Sequence, residues 1–174
     1  MVLQLTLGTM RTPLGAFLIA ADEDGVLSAA EFADCEARLC RLLDRRLKPS
    51  GYRFARGDPP LTVARLLEAY FDGDLDALRK IPLGSRGTGF QETVWAALRE
   101  IEPGHPVTYA GLAQKLGRPR SAARAIGHAN ATNPFSIIVP CHRLVGASGA
   151  LTGYAGGLER KRWLLDHERK HAAA

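Results

Sequence analysis

The run Pro140-Cys141-His142-Arg143 places a thiol, an imidazole and a guanidinium on three consecutive residues. A thiolate is a strong, soft nucleophile, and a neighbouring imidazole helps a thiol to ionise. The alternative is a buried structural cysteine beside a chance histidine. One cysteine with one adjacent histidine has no metal-ligand spacing, so a catalytic metal is not expected. Adjacency also constrains the route of the proton. In an extended backbone, neighbouring side chains point to opposite sides, and transfer between Cys141 and His142 then needs a water or a turn in the chain.

The other two cysteines, Cys35 and Cys40, are five residues apart. That spacing suits one helix face poorly, and no histidine accompanies them in the first half of the chain. They read as structural thiols. An odd cysteine count argues against a disulfide framework.

The elements that must position Cys141 fall into two parts. Leu3 to Thr9, Gly15 to Ala21 and Val26 to Phe32 read as strands, with Asp22-Glu23-Asp24-Gly25 as a turn. Cys35 to Leu47 and Leu61 to Phe71 carry apolar residues at helical spacing. The expectation for residues 1–84 is an α+β domain, a small antiparallel sheet with helices, closed by a linker over Ile81–Gly87. Residues 85–174 read as mainly α-helical. Phe90 to Ile101, Thr108 to Leu116 and Ser121 to Ala131 are predicted helices, the last two separated by Gly117-Arg118-Pro119. That is a helix-turn-helix pattern, and basic residues cluster at its turn and second helix. A final helix is expected over Leu158 to Arg169.

Charge separates the same two parts. Residues 1–84 hold 11 Lys/Arg against 12 Asp/Glu, and residues 85–174 hold 12 against 6, with all five histidines. A basic half beside a near-neutral half suggests that one domain meets a polyanion. No apolar run is long enough for a membrane span, and no basic segment leads an apolar signal region. A cytoplasmic protein is expected, in a bacterium and acting on the nucleoid, with no membrane partner.

The segment Ser136-Ile-Ile-Val-Pro-Cys-His-Arg-Leu144 resembles the active-site motif of the O6-alkylguanine-DNA alkyltransferases. The likeness extends to Arg124-Ala-Ile-Gly127, Asn133-Pro134, Gly153-Tyr-Ala-Gly-Gly157 and Leu164-Leu-Asp-His-Glu168, and so spans residues 86–168 almost continuously. The resemblance implies direct reversal of DNA damage: one alkyl group moves from O6-alkylguanine onto Cys141, with O4-alkylthymine a second candidate substrate. It implies no cofactor, a monomer, and double-stranded DNA entered from the minor groove with the damaged nucleotide flipped out.

It also implies roles. Cys141 would be the acceptor, His142 a base acting through water, and Glu168 the carboxylate that orients it. Asn133 would tie the recognition helix to the active-site turn. Tyr109 would hydrogen-bond a guanine ring nitrogen, and Arg124 would fill the gap left by the flipped base. Ala122, Ala123, Ala125 and Gly127 would let the helix approach DNA, with Arg118 and Arg120 as further DNA contacts. Leu144, Tyr154 and Ala155 would line the base pocket. Leu144 stands where the family usually has valine, and Ala155 where some members have serine. Because the family uses the backbone at both positions, little change follows.

Three rivals compete. A non-catalytic sensor on the same fold would lack the acceptor cysteine. A helix-turn-helix transcription factor leaves Cys141, His142, Glu168 and Tyr109 without a task. A Cys–His hydrolase needs an oxyanion hole that the sequence does not display.

Overall fold

The computed structural model describes residues 2–48, 50–84 and 87–173. Ser85 and Arg86, within the expected linker, lie outside the described residues. The chain divides into two units: residues 1–86 with 134–138, and residues 87–133 with 139–174.

In the first unit, strands β1 (Leu3–Thr12), β2 (Gly15–Ala21) and β3 (Leu27–Phe32) pair antiparallel in sequence order. The β2–β3 turn is the expected one. Asp22 Oδ1 accepts the backbone N–H groups of Asp24 and Val26, and Gly25 takes φ +77°, a left-handed conformation open to glycine. Helix α1 (Glu36–Leu47) lays Leu39, Leu43 and Leu47 against Leu5, Leu7, Leu18, Ala20 and Ala29 of the sheet. A fourth strand, β4 (Tyr52–Arg56), pairs parallel with β1 from Leu3↔Tyr52 to Leu7↔Arg56. The sheet is therefore mixed rather than wholly antiparallel. Helix α2 (Leu61–Phe71) has the expected bounds.

Residues 134–138 join this unit through the backbone. Ala30 N–H donates to Pro134 O, and Ser136 N–H donates to Ala30 O. Phe135 is buried beneath the guanidinium of Arg46. Ile137 follows at φ +68°, a conformation that costs a β-branched residue roughly 1–3 kcal/mol.

The second unit is mainly helical. Helix α3 (Gly89–Arg99) opens on a capping box in which Thr88 and Gln91 satisfy each other's backbone N–H groups. Thr108 caps α4 (Tyr109–Lys115) by accepting the Gly111 N–H, as its position predicts. Gly117 turns the chain, a short 3-10 turn spans Arg120–Ala122, and α5 (Ala123–Ala131) completes the helix-turn-helix. Two short strands, β5 (Val107–Thr108) and β6 (Leu144–Val145), pair parallel, and α6 (Leu158–Ala172) closes the unit. No described helix is long and apolar enough to cross a membrane.

Candidate active site

Cys141 lies in the second unit, three residues before β6 begins. The backbone here is not extended: Cys141–Arg143 form one 3-10 turn. At three residues per turn, adjacent side chains point about 120° apart rather than to opposite sides. Pro140 enters the turn without an N–H to satisfy, and Arg143 N–H donates to its carbonyl. Cys141 is 5% exposed and His142 and Glu168 are fully buried, so the site is nearly dry.

Helix α6 carries Glu168 to the turn. His142 Nε2 lies 2.7 Å from Glu168 Oε1. The Arg143 guanidinium donates Nε–H and Nη2–H to the same carboxylate at 2.9–3.2 Å, and its Nη1–H to Ile101 O. Gly104 N–H also points at Glu168 Oε2, at 3.3 Å. Burial lowers the His142 pKa below its ordinary 6.5, against the opposing pull of Glu168. For Glu168, burial works to raise the pKa, but the His142 ring and the Arg143 guanidinium outweigh it and hold the carboxyl far below its ordinary 4.5.

These directions fix the tautomer. An ionised Glu168 only accepts, so a neutral His142 presents Nε2–H to it. The lone pair then sits on Nδ1, which is buried and has no hydrogen-bond partner among the described residues. His142 is thus held as a base with its accepting nitrogen unspent.

Lys161 joins the site without being among the residues expected there. Its ammonium, fully buried, donates to the carbonyls of Leu144, Thr152 and Gly153. Burial lowers its pKa, and charge at Cys141 raises it. The Leu144 carbonyl is engaged by Lys161. A signal for Lys161 exists in the sequence: Lys161, Leu164, Leu165 and Glu168 share one helical stripe, and charges at core positions mark work.

The remaining residues fall around this turn. Asn133, fully buried, donates its side-chain amide to Val139 O at 2.8 Å, two residues before Cys141. The β5–β6 pairing sets Val107 beside Leu144, so Tyr109 begins α4 next to the segment that leaves the Cys141 turn. A Cβ on Gly127 would meet the Tyr109 ring at 3.8 Å, so the bare α5 backbone lies close to that ring. Tyr154 stands edge-on to His142, with ring centroids 6.5 Å apart, while Ala155 is exposed. Arg118, Arg120, Arg124 and Ala125 are exposed, and Ala122, Ala123 and Gly127 are half-buried. The Arg118 guanidinium lies 6.0 Å over the Phe90 ring.

Two family models match the chain. The 6-O-methylguanine DNA methyltransferase DNA-binding domain covers residues 89–170, and the ribonuclease-like domain of the same family covers residues 5–84. The chain belongs to the 6-O-methylguanine DNA methyltransferase family. Among its relatives, the methylated-DNA–protein-cysteine methyltransferase of Shigella flexneri is 43% identical over 96% of this chain and 97% of its own length. That of Mycobacterium bovis is 52% identical over 77% of this chain and 81% of its own. The crystal structure of Mycobacterium tuberculosis OGT in complex with DNA aligns with TM-score 0.74 and 36% identity, covering 95% of this chain and 94% of that one. Members of this methyltransferase family thus resemble the chain across both units.

The pKa directions yield a stability prediction. Below pH 6.5 the unfolded chain protonates His142 while the folded chain resists, so stability falls with acid. Below pH 4.5 the unfolded chain also protonates Glu168 while the folded chain does not, and stability falls more steeply. Melting temperatures measured from pH 7 to pH 4 should decline with this sign. Stability that rises between pH 7 and pH 5 would contradict the neutral, buried His142.

Proposed function

We propose that the protein repairs alkylated DNA by moving the alkyl group from O6 of guanine onto Cys141, once per molecule. The single observation that carries this reading is the buried Cys141–His142–Glu168 arrangement, with Glu168 ionised and His142 Nδ1 left to accept a proton. The thiol gives its proton to Nδ1, directly or through one water. The sulfur attacks the alkyl carbon, an S–C bond forms and the C–O6 bond breaks. Its electron pair stays on guanine, which takes up one proton, so the net transfer is thiol proton to purine. Tyr109 supplies the hydroxyl that stabilises the departing base in this reading. The thioether offers no carbonyl for water to attack, so the protein is spent.

The target oxygen lies inside a duplex, so the nucleotide must leave the stack. The exposed Arg118, Arg120 and Arg124 at the helix-turn-helix supply attraction to phosphate and a side chain for the vacated space. Ala122, Ala123, Ala125 and Gly127 keep the α5 surface thin, in keeping with entry through the minor groove by a single protomer. The excess of Lys/Arg over Asp/Glu in residues 85–174 supports sequence-tolerant binding.

Intact-protein mass spectrometry after incubation with an O6-methylguanine duplex tests the reading. One methyl should appear per molecule, on the peptide containing Cys141, and repair should stop at one equivalent. Repair of many equivalents per protein molecule would refute it.

A further inference from the structure

The C-terminal end of α5 is closed by side chains of another helix. The last carbonyls of a helix have no partner within it. Here Trp95 of α3 donates its indole N–H to Ala129 O at 2.9 Å. The Thr132 hydroxyl lies 3.0 Å from Ala129 O and 3.1 Å from His128 O, so its single hydrogen serves this carbonyl pair. Gln91 of α3 donates Nε2–H to Thr132 Oγ1 at 3.0 Å. The Gln91 amide cannot turn over, because its Oε1 already accepts the Thr88 N–H at 2.8 Å. The α3 capping box therefore points its free donor at Thr132. The next residue is Asn133, whose side chain holds Val139 O beside the Cys141 turn.

We propose that Gln91, Trp95 and Thr132 form a latch that positions the exit of the recognition helix, and with it Asn133, for extrusion of the damaged base. The proposal rests on the roles given above to Cys141 and Arg124. An arginine near the start of α5 pushes a base from the stack only if the helix does not yield. The latch anchors the opposite end of that helix, at the point where the chain continues to the nucleophile. Gln91, Trp95 and Thr132 touch no reacting atom and are positioning residues. Reaction with a free base needs no extrusion and so needs little from the latch.

The test compares single-turnover alkylation by an O6-methylguanine duplex and by free O6-benzylguanine. Thr132→Val keeps the shape and removes the hydroxyl. It should slow duplex repair by about tenfold, the scale of one lost hydrogen bond, and leave the free-base rate within about twofold. Thr132→Ser should restore duplex repair. Gln91→Glu serves as the second variant: it keeps an oxygen for Thr88 but replaces the donor facing Thr132, and should show the same split. An unchanged duplex rate, equal losses on both substrates, or no rescue by serine would overturn the latch. If instead the unaltered protein takes up no alkyl group from either substrate, the reading of Cys141 itself falls.

Discussion

Cys141→Ser should take up no methyl group from O6-methylguanine DNA while still binding the duplex. The substitution replaces sulfur by oxygen at a site that is 5% exposed, so the Cys141–Arg143 turn and its neighbours should keep their places. A buried hydroxyl in place of a thiol costs at most about 1–3 kcal/mol if left unbonded. What is lost is nucleophilicity. Sulfur is a strong, soft nucleophile suited to displacement at an alkyl carbon, and here the Lys161 ammonium lies close enough to Cys141 to interact with its charge. A serine hydroxyl holds its proton far more tightly, and oxygen is a much poorer nucleophile than sulfur toward an alkyl carbon. The expected outcome is a loss to below detection in the mass assay, with the salt-dependent DNA affinity retained. Methyl appearing elsewhere on the variant, or continued loss of the lesion from DNA, would show that Cys141 is not the acceptor. A DNA-binding protein without chemistry would behave the same with and without the substitution in every assay.

Much of this site is legible in the sequence because short-range signals fix it. Thr108 before α4 and Gly117 after it are local devices whose partners lie within a few residues. Cys141 and His142 are adjacent, so their chemistry can be read without a fold. Three things escape such a reading. The β4 strand is a five-residue alternation, Tyr-Arg-Phe-Ala-Arg, whose parallel partner β1 lies some fifty residues earlier, and no local pattern announces such a pairing. The sequence leaves an extended backbone and a turn both open at Cys141, and the structure has a 3-10 turn there. The third is the placement of charge. Lys161 sits between Arg160 and Arg162, and only the fold separates it and Arg143, which are buried, from Arg162 and Arg169, which are not. The helical stripe of α6 gives a hint for Lys161, because its neighbours on that face are Leu164 and Leu165. Arg143 offers none, since its carboxylate partner lies 25 residues away.

That buried charge decides how much rests on Glu168. Replacing Glu168 by glutamine should destabilise the protein and slow alkylation together. The carboxylate is the shared partner of His142, Arg143 and the Gly104 N–H, all within one dry pocket. Glutamine keeps an oxygen for the imidazole but removes the charge opposite Arg143. Breaking a buried pair by removing one partner costs about 3–5 kcal/mol, because the other charge is stranded. For a chain of this size that is a fall in Tm on the order of 10 °C. The rate should fall as well, because the neutral amide no longer dictates which nitrogen of His142 bears the proton. A fold defect alone would also lower activity, so the single variant does not separate the two effects. The double variant Arg143→Leu/Glu168→Leu does. It removes both charges at once and fills the pocket with apolar groups, which is often neutral or stabilising. Its Tm should recover most of the loss, while alkylation by free O6-benzylguanine stays slow because His142 has lost its orienting carboxylate. Recovery of both Tm and rate in the double variant would mean that Glu168 serves the fold alone, and the relay from thiol to imidazole to carboxylate would have to be given up.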